Sequence, residues 1–282
     1  MTVPAEVQEH WREARAGART DGLVPALTLL SRALSPGAPP RGPRGHAVVP
    51  RELLDGYGDL PAEEAPGPLP GLAVLHPAPA PRTPAGPDPD PGLDPDPGSD
   101  RADPGPRPWD TGLAWLRLGH SERLREACVA YLDARRVEGT SLLLQQLVKG
   151  ALADALIEQL EIAGVLDDLA EADGECDPCS PAHPLDTRAL ARLQAQITEV
   201  DRALLRLLGA HGFTAEGPGR EAYASELLAD VYCGRPGPVA HHHDAPVDHL
   251  ADAPVAPFLA ALPAQRTDAR PAQHLDAPGG VR

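Results

Sequence analysis

Two cysteines and a histidine lie close together in a polar stretch of the chain, as Cys176-x-x-Cys179 with His183 four residues later. Thiolate and imidazole groups are common zinc ligands, and a Cys-x-x-Cys pair can also cycle between dithiol and disulfide. A structural zinc site needs a second half-site of matching spacing, which the sequence lacks. The pattern therefore favours a cysteine pair in a surface loop, and we predict no metal site. We expect no fixed site for the histidine run 241–243 either.

Three groups of residues lie around glycines that separate long apolar segments. In the first group a glutamine follows the glycine by seven residues and an aspartate follows it by fifteen. The third group begins thirteen residues after a proline. The groups are 131–139 with Arg135, Gly139, Gln146 and Asp154; 206–213 with Arg206, Gly209 and Ala210; and 231–234 with Tyr232 and Cys233, after Pro218.

In this register the stretch 111–234 resembles the C-terminal helical domain of the acyl-CoA dehydrogenase family. Arg135 and Gly139 match the family pattern Arg-x-x-Phe-Gly, with Glu138 in place of the phenylalanine. The stretch 206–213 is similar to the family's Gln-x-Phe-Gly-Gly-x-Gly-Tyr, and Val-Tyr-Cys-Gly lines up with its Ile-Tyr-Glu-Gly. The resemblance implies an all-α fold, a four-helix up-down bundle with disordered proline-rich flanks.

The resemblance also implies a partnership with FAD. In the family, the arginine of the first motif and the glycine joint hold the pyrophosphate and adenosine of FAD, partly across a subunit interface. The residue types suit that role, because a guanidinium binds phosphate bidentately and a glycine-rich turn lets backbone donors approach anionic oxygens. From the residues alone, Arg135 equally fits a basic residue that complements a helix C-terminus. The positions that match the family's FAD contacts are Arg135, Gln146, Arg206, Gly209 and Ala210.

The catalytic position departs from the family pattern. Family members use a glutamate to remove the substrate α-proton while hydride leaves the β-carbon for the flavin, and that position is Cys233 here. A thiol is a poor replacement for a placed carboxylate base. Some members place the base at the start of the first helix, which aligns with Trp109. The neighbouring Asp110 is the alternative base if the register slips by one residue.

The family has an N-terminal helical domain and a middle β-domain, together about 230 residues, which enclose the flavin and the thioester. This chain has only about 110 residues in their place, and none shows clear β alternation. We therefore predict a truncated or degenerate acyl-CoA dehydrogenase-like protein, linked by resemblance to acyl thioester oxidation. It would form a homo- or hetero-oligomer with acyl-CoA dehydrogenase-like subunits, as a non-catalytic partner of a full-length paralogue. The alternative is a non-enzymatic helical interaction protein that retains the bundle.

Composition excludes some partners. The formal net charge of −16 argues against non-specific binding to nucleic acid or to anionic membranes. Four cysteines form no disulfide framework, the N-terminus is polar, and no stretch approaches eighteen consecutive apolar residues. We therefore expect a cytoplasmic protein. Abundant Ala, Pro and Gly, with Lys149 as the only lysine, are typical of a GC-rich bacterial genome.

Apolar residues at helical spacing predict four helices that position these motifs. Their expected bounds are 111–136, 141–169, 185–208 and 218 onward. An N-terminal helix over 6–34 either docks on the later helices or stays loose. The expected organisation is an N-terminal helical or loose segment 1–60, a Pro/Asp-rich linker 61–108, the helical bundle 109–234 and a disordered tail 235–282.

Overall fold

The computed structural model describes residues 3–58, 62–64, 71–76, 107–171, 187–214 and 217–233. This part of the chain is mostly helical, which confirms the all-α expectation at that level. Within these ranges no helix is long and apolar enough to cross a bilayer. The stretch that holds Cys176, Cys179 and His183, and the predicted tail 235–282, lie outside the described residues. The helices are α1 Ala5–Thr20, α2 Leu23–Leu34, α3 Pro108–Ala134, α4 Gln146–Glu171, α5 Thr187–Leu208 and α6 Gly219–Tyr232.

Helix α3 is the centre of the fold. It packs against α1, α2, α4, α5 and α6, and every residue of 111–122 is buried. A helix that is covered on all sides needs no polar stripe. Its neighbours α4 and α5 pack on each other, as do α5 and α6. The four helices predicted for 111–234 are therefore present, and two N-terminal helices join them around α3.

The N-terminal segment docks on α3, which settles the choice between a docked and a loose segment. The predicted single helix is divided into α1 and α2 at Gly22, whose φ of 101° is in the left-handed region. Glycines of α3 let α1 approach closely. A Cβ at Gly119 would lie 2.1 Å from the backbone oxygen of Arg15, and one at Gly112 would lie 2.8 Å from the Trp11 ring. Both glycines are therefore packing residues.

A small antiparallel sheet lies beside the helices, in the order β1-β3-β2. Its strands are β1 Ala47–Pro50, β2 Ala62–Glu64 and β3 Leu72–Leu75, with Val48 paired to Val74. Two of these strands fall within the segment expected to be a linker. All three strands are short. In β1 all four residues are buried, so the sequence shows no alternation of apolar and polar residues there.

The first predicted helix ends two residues before the expected position 136. Helix α3 ends at Ala134, and a hairpin follows, formed by β4 Arg136–Val137 and β5 Thr140–Ser141. Its two turn residues, Glu138 and Gly139, have φ values of 51° and 81°. Two left-handed residues between paired strands are the pattern of a type I′ turn. The Ser141 hydroxyl accepts a hydrogen bond from Leu143 N and so caps a 3-10 helix, Leu142–Leu144, that precedes α4.

Candidate functional site

Arg135 lies at the C-terminal end of α3, in contact with an aromatic pair. Its Nη1 donates to the Tyr131 hydroxyl at 2.6 Å, and its guanidinium carbon lies 5.3 Å from the Tyr131 ring centroid. The other aromatic partner is His211, whose ring stacks on Tyr131 with centroids 4.1 Å apart and planes within 2° of parallel. We call these three residues the Arg135 cluster. It combines a cation with flat aromatic surfaces on an exposed end of the helix.

The Arg135 cluster joins the first sequence motif to the second. His211 belongs to the 3-10 helix Gly209–Phe213, which follows α5 directly. Gly209 has a φ of 55°, and both Gly209 and Ala210 are exposed. A Cβ at Gly209 would meet nothing within 4 Å, so the space beside the joint is open. The glycine is therefore favoured by the left-handed backbone angle and not by close packing. Arg135 contacts Tyr131, and Tyr131 stacks on His211 of the glycine joint. Residues 135 and 209 are 74 positions apart in sequence, yet this chain of contacts connects them within one chain.

The other two residues predicted to contact FAD lie outside this cluster. Gln146 is the first residue of α4 and is exposed. Arg206, on the last turn of α5, donates from Nε to the Arg202 carbonyl at 3.2 Å, and its Nη2 lies 3.9 Å from Glu199. No contact links either residue to Arg135 among the described residues. The predicted set is therefore brought together in part.

The two positions weighed for the catalytic base meet at the opposite end of α3. Cys233 is the C-cap of α6, and Asp110 lies in the first turn of α3. Their neighbours Tyr232 and Trp109 pack edge to face with ring centroids 5.6 Å apart. The Tyr232 hydroxyl is buried and pinned to β1: it accepts from the Val48 amide at 3.1 Å and donates to the Val48 carbonyl at 3.0 Å. This tyrosine holds the C-terminal end of α6 against β1.

Neither candidate is poised to remove a proton. Burial raises the pKa of the Cys233 thiol to about 11, so about one molecule in ten thousand carries a thiolate at pH 7. Asp110 is held by Arg107: its Oδ1 accepts from Arg107 Nη2 and its Oδ2 from Arg107 Nε, both at 2.8 Å. Both oxygens of this carboxylate are therefore occupied by one guanidinium.

The length of α3 separates the Arg135 cluster from this junction. At 1.5 Å per residue, the 24 residues from Asp110 to Ala134 span about 36 Å. One bound substrate cannot contact both ends of a straight helix of that length. Within one chain, therefore, the residues matching the FAD contacts and those matching the base belong to two different places.

A buried polar network that sequence reasoning missed lies inside the helices. Arg117 of α3 is fully buried, and its guanidinium donates to neutral acceptors only. Burial lowers the pKa of Arg117, with the Asp201 charge acting in the opposite direction. The acceptors are Ser225 Oγ at 3.0 Å, the Gln194 carbonyl at 3.0 Å, Gln194 Oε1 and Thr198 Oγ1 at 2.8 Å. The network therefore ties α3 to both α5 and α6.

Two titratable groups flank Arg117. Burial raises the pKa of Asp201 to about 7, although the Ser121 hydroxyl and the Arg117 charge favour its ionised form and Glu226 opposes it. Neither Asp201 oxygen makes a hydrogen bond of normal geometry within the described chain. Burial also lowers the pKa of His120 to about 3, assisted by the positive charges of Arg117 and Arg123. His120 is therefore neutral at pH 7, with Nδ1 3.7 Å from Glu221 Oε2.

A sequence signal for this network exists in the apolar periodicity. Asp201 stands on the stripe of α5, four residues after Ile197 and three before Leu204, both buried. Arg117 similarly lies within the wholly buried stretch of α3. A charged residue on an apolar face predicts a buried charge with partners on another element. Which partners it has depends on the tertiary structure.

Comparison with protein-family models gives no match for this sequence, and comparison with curated proteins gives none either. The resemblance to the acyl-CoA dehydrogenase family therefore depends on the three motifs and their spacing.

Proposed function

We propose that this chain is an acyl-CoA dehydrogenase-like helical subunit that contributes an arginine contact for FAD to an assembly with a full-length flavoprotein subunit. In this proposal α3, α4, α5 and α6 form the four-helix up-down bundle of the family. The chain itself supplies no catalytic base for acyl thioester oxidation. The observation that carries the proposal is the Arg135 cluster, in which the first and second motifs become neighbours where the ends of α3 and α5 pack together.

The chemistry of the Arg135 cluster suits a dinucleotide. Its guanidinium can bind a pyrophosphate oxygen pair bidentately while the Tyr131 and His211 rings offer flat surfaces to a base. The open, left-handed Gly209 lets a ligand approach the backbone at the joint.

The state of the other end of α3 supports a subunit without its own turnover. Cys233 remains a thiol at neutral pH, and Asp110 is bound to Arg107. About 36 Å of helix lies between them and the Arg135 cluster. A flavin contacted by Arg135 would therefore take its base, and the rest of its pocket, from another chain.

The test mixes the full chain with a full-length acyl-CoA dehydrogenase-like flavoprotein from which the flavin has been removed, and titrates FAD or riboflavin into the mixture, followed by flavin fluorescence. Riboflavin shares the ring system but lacks the pyrophosphate and adenosine. We expect FAD to bind more tightly than riboflavin, and Arg135→Gln to weaken FAD binding by about tenfold or more, the loss of one charge-assisted bond. Arg136→Gln is the matched control, because Arg136 is an adjacent exposed arginine bonded to the Gly139 carbonyl. Equal affinity for both flavins, or equal effects of the two variants, contradicts the proposal.

A second function, non-enzymatic association through helices, is favoured by the outer face of α4. Ile157 and Leu160 are 53% and 61% exposed there, although both are large and apolar. Gly150 and Gly164 lie seven residues to either side of Ile157, hence on the same face, and a Cβ at either would meet nothing within 4 Å. Glycine weakens a helix interior by about 0.5–1 kcal/mol, and nothing in the described chain offsets that cost.

The two ends of α4 would bring opposite charges together in a second, antiparallel copy. Its N-terminal turn carries Lys149, whereas its last turns carry Asp167 and Asp168. A two-fold axis at Ile157 places Gly150 of one protomer opposite Gly164 of its partner. Under this alternative, light scattering should show a dimer that Ile157→Asp dissociates. Val137→Asp, a partly exposed apolar position off α4, is the control. A monomer that also stays colourless with FAD would exclude both functions.

A further inference from the structure

A cavity of about 520 Å³ lies between α5, the 3-10 helix Gly209–Phe213 and α6. Small-molecule sites in proteins have volumes of about 300–1,000 Å³ and combine apolar walls with a few polar groups. None of the residues that line this cavity belongs to the Arg135 cluster. It is therefore a separate candidate site, whose occupant does not follow from the FAD contact proposed above.

The walls of the cavity are apolar and partly aromatic. Leu205 and Ala222 line it, and both pack in the hydrophobic cluster shared by α3, α4, α5 and α6. Phe213 and Tyr223 line its mouth with 74% and 50% of their surface exposed. An uncovered phenylalanine at the edge of an apolar cavity leaves ring surface in water that an apolar ligand would cover.

Three arginines line the cavity, together with the acidic residues Asp201 and Glu226. Arg202 is bonded to Glu199 and Glu226. Arg206 keeps 71% of its side chain exposed, since its contact with Glu199 is long at 3.9 Å. Arg220 lies on the same rim. Guanidinium groups beside an apolar wall select a ligand that is apolar at one end and anionic at the other.

We propose that this cavity binds a small apolar monoanion, of which an aromatic carboxylate is the type. Its ring lies on Leu205, Ala222, Phe213 and Tyr223, and its carboxylate meets Arg206. The ring explains the exposed aromatic side chains, and the carboxylate explains an exposed arginine whose internal partners are a backbone carbonyl at 3.2 Å and a carboxylate at 3.9 Å.

The test uses 2-naphthoate and its uncharged analogue 2-naphthalenemethanol, titrated into the full chain by isothermal calorimetry. We expect 2-naphthoate to bind with a Kd of about 1 mM or tighter, and at least about tenfold more tightly than the alcohol. Arg206→Gln should remove that difference and leave the alcohol unaffected. Phe213→Ala should weaken both ligands, because both use the ring. The exposed Phe213 contributes little to the fold, so this variant should remain folded.

The control variant is Arg192→Gln, an exposed arginine of the same helix that does not line the cavity. It should bind 2-naphthoate as the natural sequence does. Absence of binding, equal affinity for the acid and the alcohol, or an equal loss in Arg192→Gln and Arg206→Gln would each overturn the proposal. Because Arg135 is untouched, a failure here leaves the FAD titration unaffected, and the reverse also holds.

Discussion

Asp201 gives a prediction about how the free energy of unfolding depends on pH. Its pKa is about 7 in the folded chain, whereas the ordinary pKa of an aspartate is 3.8. Between those pH values the folded state holds a proton that the unfolded state has released. The free energy of unfolding therefore falls as pH rises through this window. From pH 4 to pH 7 the change is about 4 kcal/mol, at about 1.4 kcal/mol per pH unit.

His120 has the opposite effect. Its pKa falls from the ordinary histidine value of 6.5 to about 3, so the unfolded state binds a proton that the folded state does not between those values. The free energy of unfolding therefore rises with pH in this window, by about 3 kcal/mol from pH 4 to pH 6.5. The two groups share Arg117 as a neighbour, and Glu226, Arg123 and Glu221 also face them.

The contributions of Asp201 and His120 largely cancel in the natural sequence, and single substitutions should reveal each of them. With Asp201→Asn, we expect the free energy of unfolding to rise by about 3 kcal/mol from pH 4 to pH 7, because the His120 contribution remains. With His120→Gln, it should fall by about 4 kcal/mol over the same range. The comparison uses the change with pH, so a uniform loss of stability in either variant does not affect it.

The assay is urea denaturation followed by circular dichroism at pH 4, 5, 6 and 7, at constant ionic strength. Asp154→Asn is the control, because Asp154 is an exposed aspartate on α4. Its pH profile should run parallel to that of the natural sequence. If Asp201→Asn and His120→Gln also run parallel to it, the two buried groups do not titrate as their surroundings require, and the reasoning is refuted.

Three further predictions concern packing and the C-terminal motif. Gly119→Ala should lower the free energy of unfolding by about 3 kcal/mol or more, since its Cβ would lie 2.1 Å from a backbone oxygen of α1. Gly150→Ala should be neutral or stabilising, because nothing lies within 4 Å of its Cβ. Thermal denaturation compares the two variants, and equal effects would contradict the close crossing of α1 and α3. Tyr232→Phe should cost about 1–3 kcal/mol in urea denaturation by leaving the β1 backbone groups unpaired, and an unchanged stability would disprove that anchoring role. Cys233→Ala should leave any acyl-CoA turnover of an assembly with a flavoprotein subunit intact, and a tenfold loss in a dye-reduction assay would restore the thiol as a catalytic residue.

Much of the helical part of the fold could be predicted from the sequence, because helix periodicity is local. The apolar residues of α5 repeat at helical spacing, and the observed helix lies within a few residues of the predicted 185–208. The Tyr131–His211 stack places the motifs around Arg135 and Gly209 side by side within one chain, whereas the resemblance implied FAD contacts partly across a subunit interface. Helix ends were less predictable: Glu138 and Gly139 form a hairpin turn, since a left-handed glycine serves a turn as well as a helix stop.

Contacts between distant residues were decided only by the tertiary structure. The need for glycine at position 119 depends on the Arg15 backbone, which crosses there from a helix more than a hundred residues earlier. The burial of Arg117 is tolerable because α5 and α6 supply its acceptors, and no local pattern specifies them. The cavity beside Arg206 likewise exists only where three elements meet. The sequence determined which faces are apolar, and packing determined which polar groups those faces enclose, because desolvation depends on every neighbour at once.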